Sequence, residues 1–354
     1  MAESAQPPQA AKATPQAPSG LQTLLVAAVL TVATSSQGLL TTASKERDGS
    51  YAYNFATVPL LAEALKLSVS ALLLYQRRAT ARMSMDIKSI AMFPIPSVIY
   101  LVHNNVQFVF LSYVDPSTYQ ILGNLKILTT GVLLRVLLGR KLSPMQWIAL
   151  GLLTAGAATS QLAGCALDGG SSLSAPALGY FWGLVSAFLS GFAAAYTEYV
   201  MKRNSDDLYW QNCQLYAFGT AFNAVRLAYD GVTSAPRIAN DGRQLHWLFD
   251  MLHGYSFTTC LVVMNLAFTG LLVSWIMKFA DSIVKVYATS MAMLVTMLAS
   301  VAFFGLSPTP QLFLGIVVAS ASLQIYYTKA DGTVPHRPVE WADGGGKEKS
   351  GGAV

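Results

Sequence analysis

The sequence has few charged residues. Only 12% of its 354 residues are Asp, Glu, Lys or Arg, against about 25% in soluble domains, while 53% are hydrophobic. A chain with so little charge cannot cover a globular surface in water. The composition therefore argues against an ordinary soluble protein and predicts a membrane protein.

Residues that usually carry enzyme chemistry are also scarce. The three cysteines have no CxxC spacing and lie in or beside apolar runs, so neither a disulfide framework nor a zinc site is indicated. Of the four histidines only His103 falls within a spanning-length apolar run, and no Gly-rich phosphate loop or Ser/His/Asp pattern is apparent. We therefore expect neither an enzyme nor a metal or cofactor site, and no nucleic-acid partner.

The sequence is instead rich in long apolar runs. A helix needs about 20 apolar residues to cross a bilayer. Runs of this kind predict ten transmembrane helices at about 21–44, 55–76, 90–112, 115–138, 144–163, 177–200, 210–229, 255–280, 281–304 and 308–327. We expect the first run to remain as a helix because it lacks the basic segment of a signal peptide. Residues 1–20 and 329–354 are predicted to be disordered tails.

The placement of basic residues predicts the orientation. If the amino terminus is cytoplasmic, fifteen of the 23 Lys and Arg residues lie in cytoplasmic segments and five on the opposite side. The other three, Lys66, Lys126 and Lys285, lie inside predicted helices. Because cytoplasmic loops carry the excess of Lys and Arg, both termini of this all-α protein are expected to be cytoplasmic.

A short internal repeat suggests how the ten helices are arranged. LSPMQWIALG (142–151) and LSPTPQLFLG (306–315) open the fifth and tenth predicted helices. A five-helix repeat must invert its membrane orientation between copies, and inverted repeats are a transporter architecture with the substrate site near the midplane. We therefore expect a transporter domain over 21–328, with repeats at about 21–163 and 177–328.

Lys126 is the most informative residue, because it lies near the middle of the fourth predicted helix. An ammonium at the bilayer centre costs about 2.5–3.5 kcal/mol on insertion scales, so such a lysine normally faces a water-filled cavity or a partner charge. Tyr119, Gly123 and Thr130 share its helix stripe. This face is predicted to bind a ligand.

Four other predicted helices carry polar residues at helical spacing. Glu63 and Lys66 on the second helix are three residues apart, close enough to pair inside the membrane. Further candidate site residues are Tyr100 and Asn104 on the third helix, Asn124 beside Lys126, Asn212 and Tyr216 on the seventh, and Lys285 on the ninth.

The chemistry of these side chains indicates the ligand. Three embedded lysines oppose one deep carboxylate, Glu63, so the cavity is expected to bind an anion. Tyrosine rings can stack on a base, and asparagines can read base or ribose edges, although both also pack and bond neighbouring helices. Phosphate, base and sugar together indicate a nucleotide or a nucleotide sugar.

Three stretches carry a family resemblance. VHNNVQF…STYQILGNLK, NCQLYAFG and DSIVKVYATS resemble signatures of the nucleotide-sugar transporter family, within the drug/metabolite transporter superfamily. The similarity covers most of 20–328 and is nearest the branch that carries CMP-sialic acid and UDP-galactose, including plant-type members that share GNLK. It implies ten helices in two inverted halves, a Golgi membrane location, and exchange of cytosolic nucleotide sugar for lumenal nucleoside monophosphate.

The resemblance also implies residue roles. Lys126 and Lys285 would hold phosphate, and Tyr119 and Tyr216 would contact the nucleotide; Tyr100, Asn104 and Asn212 would read base or ribose, and Glu63 and Lys66 match the family's pair on the second helix. Gly123-Asn124 departs from the Tyr-Gln usual in the animal members, which opens space beside Lys126. A CMP-linked sugar is the first expectation.

Two other substrates stay open. One is a UDP-sugar such as UDP-galactose or UDP-N-acetylglucosamine. The other is a small metabolite exported by proton coupling, with Glu63 as the proton carrier. The sequence leaves the oligomeric state open as well, because Gly179 and Gly183 can seat a second copy or pack within one bundle.

Overall fold

The computed structural model describes residues 19–46, 51–114, 116–161, 176–203, 205–238, 252–304 and 309–328, and within these ranges it contains helices and no strand. The helices are α1 (Gly20–Ala43), α2 (Thr57–Arg77), α3 (Ile87–Ile90), α4 (Pro94–Tyr113), α5 (Pro116–Gly123), α6 (Lys126–Leu138), α7 (Pro144–Gln161), α8 (Ala177–Arg203), α9 (Leu208–Ile238), α10 (Phe257–Phe279), α11 (Ser282–Phe304) and α12 (Pro310–Tyr327). The predicted tails lie outside the described residues, except for Ser19 and for Gly20, which begins α1.

The prediction of an all-α membrane protein is confirmed. Helices occupy each of the ten predicted runs, with α5 and α6 together filling the fourth. In the part of the chain that is described, seven helical segments are long and apolar enough to cross a membrane: α1, α2, the joined α5 and α6 from Thr118, α8, α10, α11 to Ala299, and α12. The polar residues of α9, such as Asn223 and Arg226, lower its hydropathy below that of these seven.

Side-chain caps define where several helices begin. The hydroxyl of Ser19 accepts the Gln22 N–H while the Gln22 side chain accepts the Ser19 N–H, at 3.2 and 3.0 Å. Ser143 and Gln146 repeat this reciprocal arrangement before α7. Each cap satisfies backbone groups that the first helical turn leaves unpaired. The sequence patterns S-x-x-Q at these two positions therefore fix the starts of α1 and α7.

Helix packing runs mainly between the two halves of the chain. α1 packs against α10 and α11, while α8 packs against α4, α5 and α6. α2 packs against α9, and α7 packs against α12. Further contacts join α2 to α10 and α4 to α9. Helices α1 to α7 therefore pack mainly against helices α8 to α12.

Close helix approaches occur at glycines. A Cβ on Gly315 would lie 2.7 Å from the Gly156 carbonyl oxygen, so α12 and α7 touch backbone to backbone. A Cβ on Gly183 would lie 2.9 Å from the Phe110 ring, which shows that this small residue of α8 packs on α4 within the chain.

The largest apolar core, called the main core below, is built from α6, α7, α8, α11 and α12. Its buried residues include Leu134 and Leu138 of α6, Ala195 of α8, and Ile283 and Tyr287 of α11. By contrast, large apolar side chains on α1, α8 and α12 are exposed, including Leu24, Phe181 and Val317. In a membrane protein such side chains face lipid.

Candidate functional site

Lys126 lies at a local interruption between α5 and α6. The hydrogen bonds from Asn124 to Ile121, from Leu125 to Leu122 and from Ile127 to Asn124 span three residues, at 3.2, 3.0 and 3.0 Å. A mid-helix stretch of this tighter pattern commonly marks a functional position. As α6 begins at Lys126, the backbone of this residue lies at the positive end of the α6 dipole.

Gly123, three residues before Lys126, has room for a larger side chain. A Cβ built on it would have no heavy atom of the described residues within 4 Å. The Asn124 side chain is 1% exposed, and its amide nitrogen has no hydrogen-bond partner among the described residues. The interruption therefore places an open volume, a free amide and a cation next to one another.

Lys285 lies one turn into α11, near enough to Lys126 for their charges to interact. His103 of α4 interacts electrostatically with both lysines, and its Nε2 lies 3.4 Å from the Ser186 hydroxyl. Within the described part of the chain, neither lysine makes a salt bridge. Among the described residues the arrangement therefore concentrates positive charge without a paired carboxylate, which favours an anionic ligand.

Glu63 and Lys66 form the pair that their spacing predicts. Lys66 Nζ donates to Glu63 Oε1 at 2.5 Å, and the ammonium also lies 4.6 Å from the centroid of the Tyr216 ring. A Cβ on Gly219 would lie 2.8 Å from Glu63 Oε2, and one on Gly270 would lie 2.6 Å from Lys66 Cδ. The pair is therefore enclosed by α9 and α10, whose glycines leave room for it.

The tyrosine candidates differ in exposure. Tyr100 is 37% exposed, whereas Tyr216 is 3% exposed and its hydroxyl donates to the Gly270 carbonyl at 3.1 Å. Tyr119 packs on Phe110 with ring centroids 4.9 Å apart and hydrogen-bonds Gln107. Tyr100 and Tyr119 are thus partly accessible, while the Tyr216 ring is buried and packs against the Lys66 ammonium.

The asparagine candidates are only partly described. The side chain of Asn104 lies outside the described residues. Asn212 is 1% exposed, and its side-chain oxygen has no partner among the residues that the structure describes. A buried amide oxygen without a partner costs about 1–3 kcal/mol, so this atom is suited to accept a hydrogen bond from a ligand.

Comparison with known proteins decides the family. A family model described as "Nucleotide-sugar transporter" matches residues 20–327, which is nearly the whole helical part. The chain belongs to the nucleotide-sugar transporter family. It is therefore a transporter and not an enzyme.

Curated relatives of this transporter cover most of the chain. CMP-sialic acid transporter 1 of Arabidopsis thaliana is 54% identical over 89% of this chain and 91% of its own. CMP-sialic acid transporter 1 of Oryza sativa subsp. japonica is 54% identical, over 87% and 94%. A solved crystal structure matches with a TM-score of 0.60 at 14% identity, covering 87% of this chain and 98% of that one, which supports the fold alone.

The transporter also contains a charged cluster that sequence reasoning missed. Arg140 Nη1 lies 2.9 Å from Asp281 Oδ2, and Lys202 Nζ lies 2.7 Å from Glu198 Oε1. Although burial works against its charge, Asp281 raises the pKa of Arg140 above the ordinary value. The spacing of Glu198 and Lys202 on one helix was a usable signal, but the pairing of Arg140 with Asp281 joins residues 141 positions apart.

A second polar contact lies where α8, α9 and α10 meet. Lys278 Nζ donates to the carbonyls of Met201 and Asp206 at 3.0 Å each and to Gln211 Oε1 at 2.9 Å. Burial raises the pKa of Asp206, whose carboxylate accepts the Ser84 N–H at 3.1 Å. These bonds tie the connection before α3 to the start of α9.

Proposed function

We propose that this transporter exchanges cytosolic CMP-sialic acid, or a related CMP-linked sugar, for a lumenal nucleoside monophosphate. The observation that carries the proposal is the pair of embedded lysines, Lys126 and Lys285, whose charges interact and which make no salt bridge within the described residues. A phosphate between them supplies the missing negative charge. The names of the plant relatives support cytidine as the base.

The matched helix contacts support ten membrane helices in two inverted repeats. In the proposed repeats each membrane helix corresponds to the one five positions away in the chain, so α8 corresponds to α1, α4 to α10 and α6 to α11. The contacts of α8 with α4 and α6 then correspond to those of α1 with α10 and α11. The pairs α2 with α9 and α7 with α12 map onto themselves. The proposed site lies between these halves. Both termini are proposed to lie on the cytoplasmic side of a Golgi membrane.

Each site residue has a proposed role. Lys126 and Lys285 bind phosphate, while Tyr119 and Tyr100 contact the nucleotide. The buried amides read base or ribose, and the open volume at Gly123 receives part of the sugar. The residues proposed for base or ribose are Asn104, Asn124 and Asn212. Glu63, Lys66 and Tyr216 hold the neighbouring helices in register.

Exchange follows from the charge of the empty cavity. Reorientation passes through an occluded state in which Lys126 and Lys285 lose water, and Glu63 is already paired with Lys66. Desolvating unpaired ammoniums costs several kcal/mol, and each increment of about 1.4 kcal/mol on the barrier slows the step tenfold. Either a monophosphate or a nucleotide sugar offsets this charge, so each accelerates the crossing from its own side.

Proteoliposomes test the proposal. Vesicles are preloaded with CMP, UMP or buffer, and uptake of labelled CMP-sialic acid or UDP-galactose is measured. We expect CMP inside to raise the initial rate of CMP-sialic acid uptake several-fold. Lys126→Ala should abolish this stimulation, whereas Lys88→Ala, on the exposed helix α3, should retain it.

Each alternative has its own outcome in this assay. If UMP inside stimulates uptake of UDP-galactose more than CMP inside stimulates uptake of CMP-sialic acid, the substrate is a UDP-sugar and not a CMP-linked sugar. Uptake driven by a pH gradient, at equal rates from empty and preloaded vesicles, would replace exchange by proton coupling. The engagement of Glu63 with Lys66 argues against Glu63 as a free proton carrier.

A further inference from the structure

The first turn of α11 is fully capped by two carboxylates. Asp281 Oδ1 accepts the N–H groups of Ile283 and Val284 at 2.9 Å each, and Glu198 Oε2 accepts the Ser282 N–H at 2.6 Å. The three N–H groups that begin α11 are therefore paired with carboxylates. The next N–H, that of the proposed phosphate lysine Lys285, bonds the backbone carbonyl of Asp281 at 3.4 Å as the first bond within the helix.

The same two carboxylates connect α11 to two other helices. Asp281 pairs with Arg140, which lies just after α6, and the two side chains are only 17% and 14% exposed. Glu198 belongs to α8, and its partner Lys202 also donates to the Ala280 carbonyl. The start of α11 is thus held to the ends of both α6 and α8 by buried charge.

This connection lies one turn from Lys285 on α11 and at the opposite end of α6 from Lys126. Lys285 is the fourth residue of α11, and Lys126 is the first residue of α6. Beyond the lysines, Leu134 and Leu138 of α6 pack with Ile283 of α11 in the main core. The charged connection and the main core therefore both join the ends of α6, α8 and α11.

We propose that Arg140, Asp281 and Glu198 form a clamp that closes the cytoplasmic end of the bundle, and that the clamp opens when the site faces the cytosol. The proposal rests on the proposed orientation and transport function. A permanent structural tie would keep these contacts in every state. A clamp must instead release α11, and with it Lys285, in one half of the cycle.

The clamp can be weakened without removing the helix cap. Asp281→Asn keeps an oxygen that accepts the Ile283 and Val284 N–H groups but loses the charge that pairs with Arg140. Arg140→Gln breaks the same pair from the other side and leaves the cap untouched. Asp230→Asn is the matched control, because the ion pair of Asp230 with Arg226 lies within one helix.

Cysteine labelling reports the opening. Ala195 is fully buried in the main core, one turn from Glu198, so Ala195→Cys is introduced after Cys165, Cys213 and Cys260 are changed to serine. A membrane-impermeant maleimide is added from the cytoplasmic side of reconstituted vesicles of known orientation. We expect Asp281→Asn and Arg140→Gln to label about tenfold faster than the parent, equivalent to a shift of about 1.4 kcal/mol towards the open state. Asp230→Asn should label at the parent rate.

Binding separates the clamp from the proposed function. Thermal shift with CMP should remain in both clamp variants, because Lys126 and Lys285 are unchanged. Absence of a CMP shift in the parent protein would overturn the proposed function. A folded, CMP-binding Asp281→Asn or Arg140→Gln variant that labels at the parent rate would overturn the clamp, and so would faster labelling of Asp230→Asn.

Discussion

The ammonium of Lys66 lies over the ring of Tyr216, 4.6 Å from the ring centroid, and the same ammonium pairs with Glu63. One cation therefore joins α2 to the buried face of α9. The Tyr216 hydroxyl extends the connection to α10 through Gly270. Tyr216, which the family resemblance assigns to the nucleotide, thus also links Lys66 to α10.

This relationship makes the order of Glu63 and Lys66 important. Glu63→Gln should impair transport because it leaves Lys66 without its carboxylate. We expect a cost below the about 3–5 kcal/mol of a fully buried pair, because the Glu63 side chain is 23% exposed. A double variant that exchanges the two residues should recover only part of the activity, since a carboxylate at position 66 would face the negative face of the Tyr216 ring. Initial uptake rates of Glu63→Gln and of the double variant check this, and full recovery in the double variant would contradict it.

Lys126 should bind phosphate mainly as a charge. Lys126→Ala should weaken CMP binding by about tenfold to a hundredfold, corresponding to about 1.5–3 kcal/mol for a charged hydrogen bond. Lys126→Arg should retain part of the affinity, because its charge remains but its fork differs in shape from an ammonium. Calorimetric titration with CMP measures both, with Lys88→Ala as the control. Near wild-type affinity in a folded Lys126→Ala variant would assign the lysine a structural role.

Two glycines should respond in opposite ways to an added methyl group. Gly270→Ala places a Cβ 2.6 Å from Lys66 Cδ and should lower the melting temperature, since overpacking a tight contact costs about 1–3 kcal/mol. Gly123→Ala meets no atom within 4 Å and should leave the melting temperature unchanged or slightly higher. Thermal unfolding in detergent compares the two. A larger loss at Gly123 would show that the space beside Lys126 is filled.

The same open space should decide how the sugar is accommodated. Gly123→Phe should leave the affinity for free CMP largely unchanged while weakening the binding of CMP-sialic acid. The reason is that the added ring fills the volume proposed for part of the sugar. Competition binding gives the ratio of the two affinities, and Gly123→Ala serves as the control. An equal loss for both ligands would place the nucleotide, and not the sugar, beside Gly123.

The sequence indicates the class of protein, the helices and the central charges. Long apolar runs predict each helical segment because a membrane requires them, and the Glu63–Lys66 pair follows from helical spacing alone. Lys126 and Lys285 stand out because a charged side chain within a membrane segment costs free energy and usually serves a function. These inferences depend on local pattern and on the cost of desolvation, both of which can be read along the chain.

Other features depend on contacts between distant segments. No local pattern predicts that Arg140 pairs with Asp281 or that Tyr216 turns its ring towards Lys66. The interruption at Asn124 and Leu125 is equally hard to foresee, because the sequence there contains no proline and continues a helical period.

The backbone contact between Gly156 and Gly315 sets a limit on how the molecule can change shape. A Cβ on either residue would come within 3.1 Å of the opposite backbone, so the gap between α7 and α12 matches two hydrogen atoms and nothing larger. Sliding one helix by one turn would bring a position that carries a side chain, such as Leu152 or Ser160, into that gap. The crossing therefore favours one alignment of α7 and α12. We expect these two helices to move together while the remaining helices rearrange around cargo.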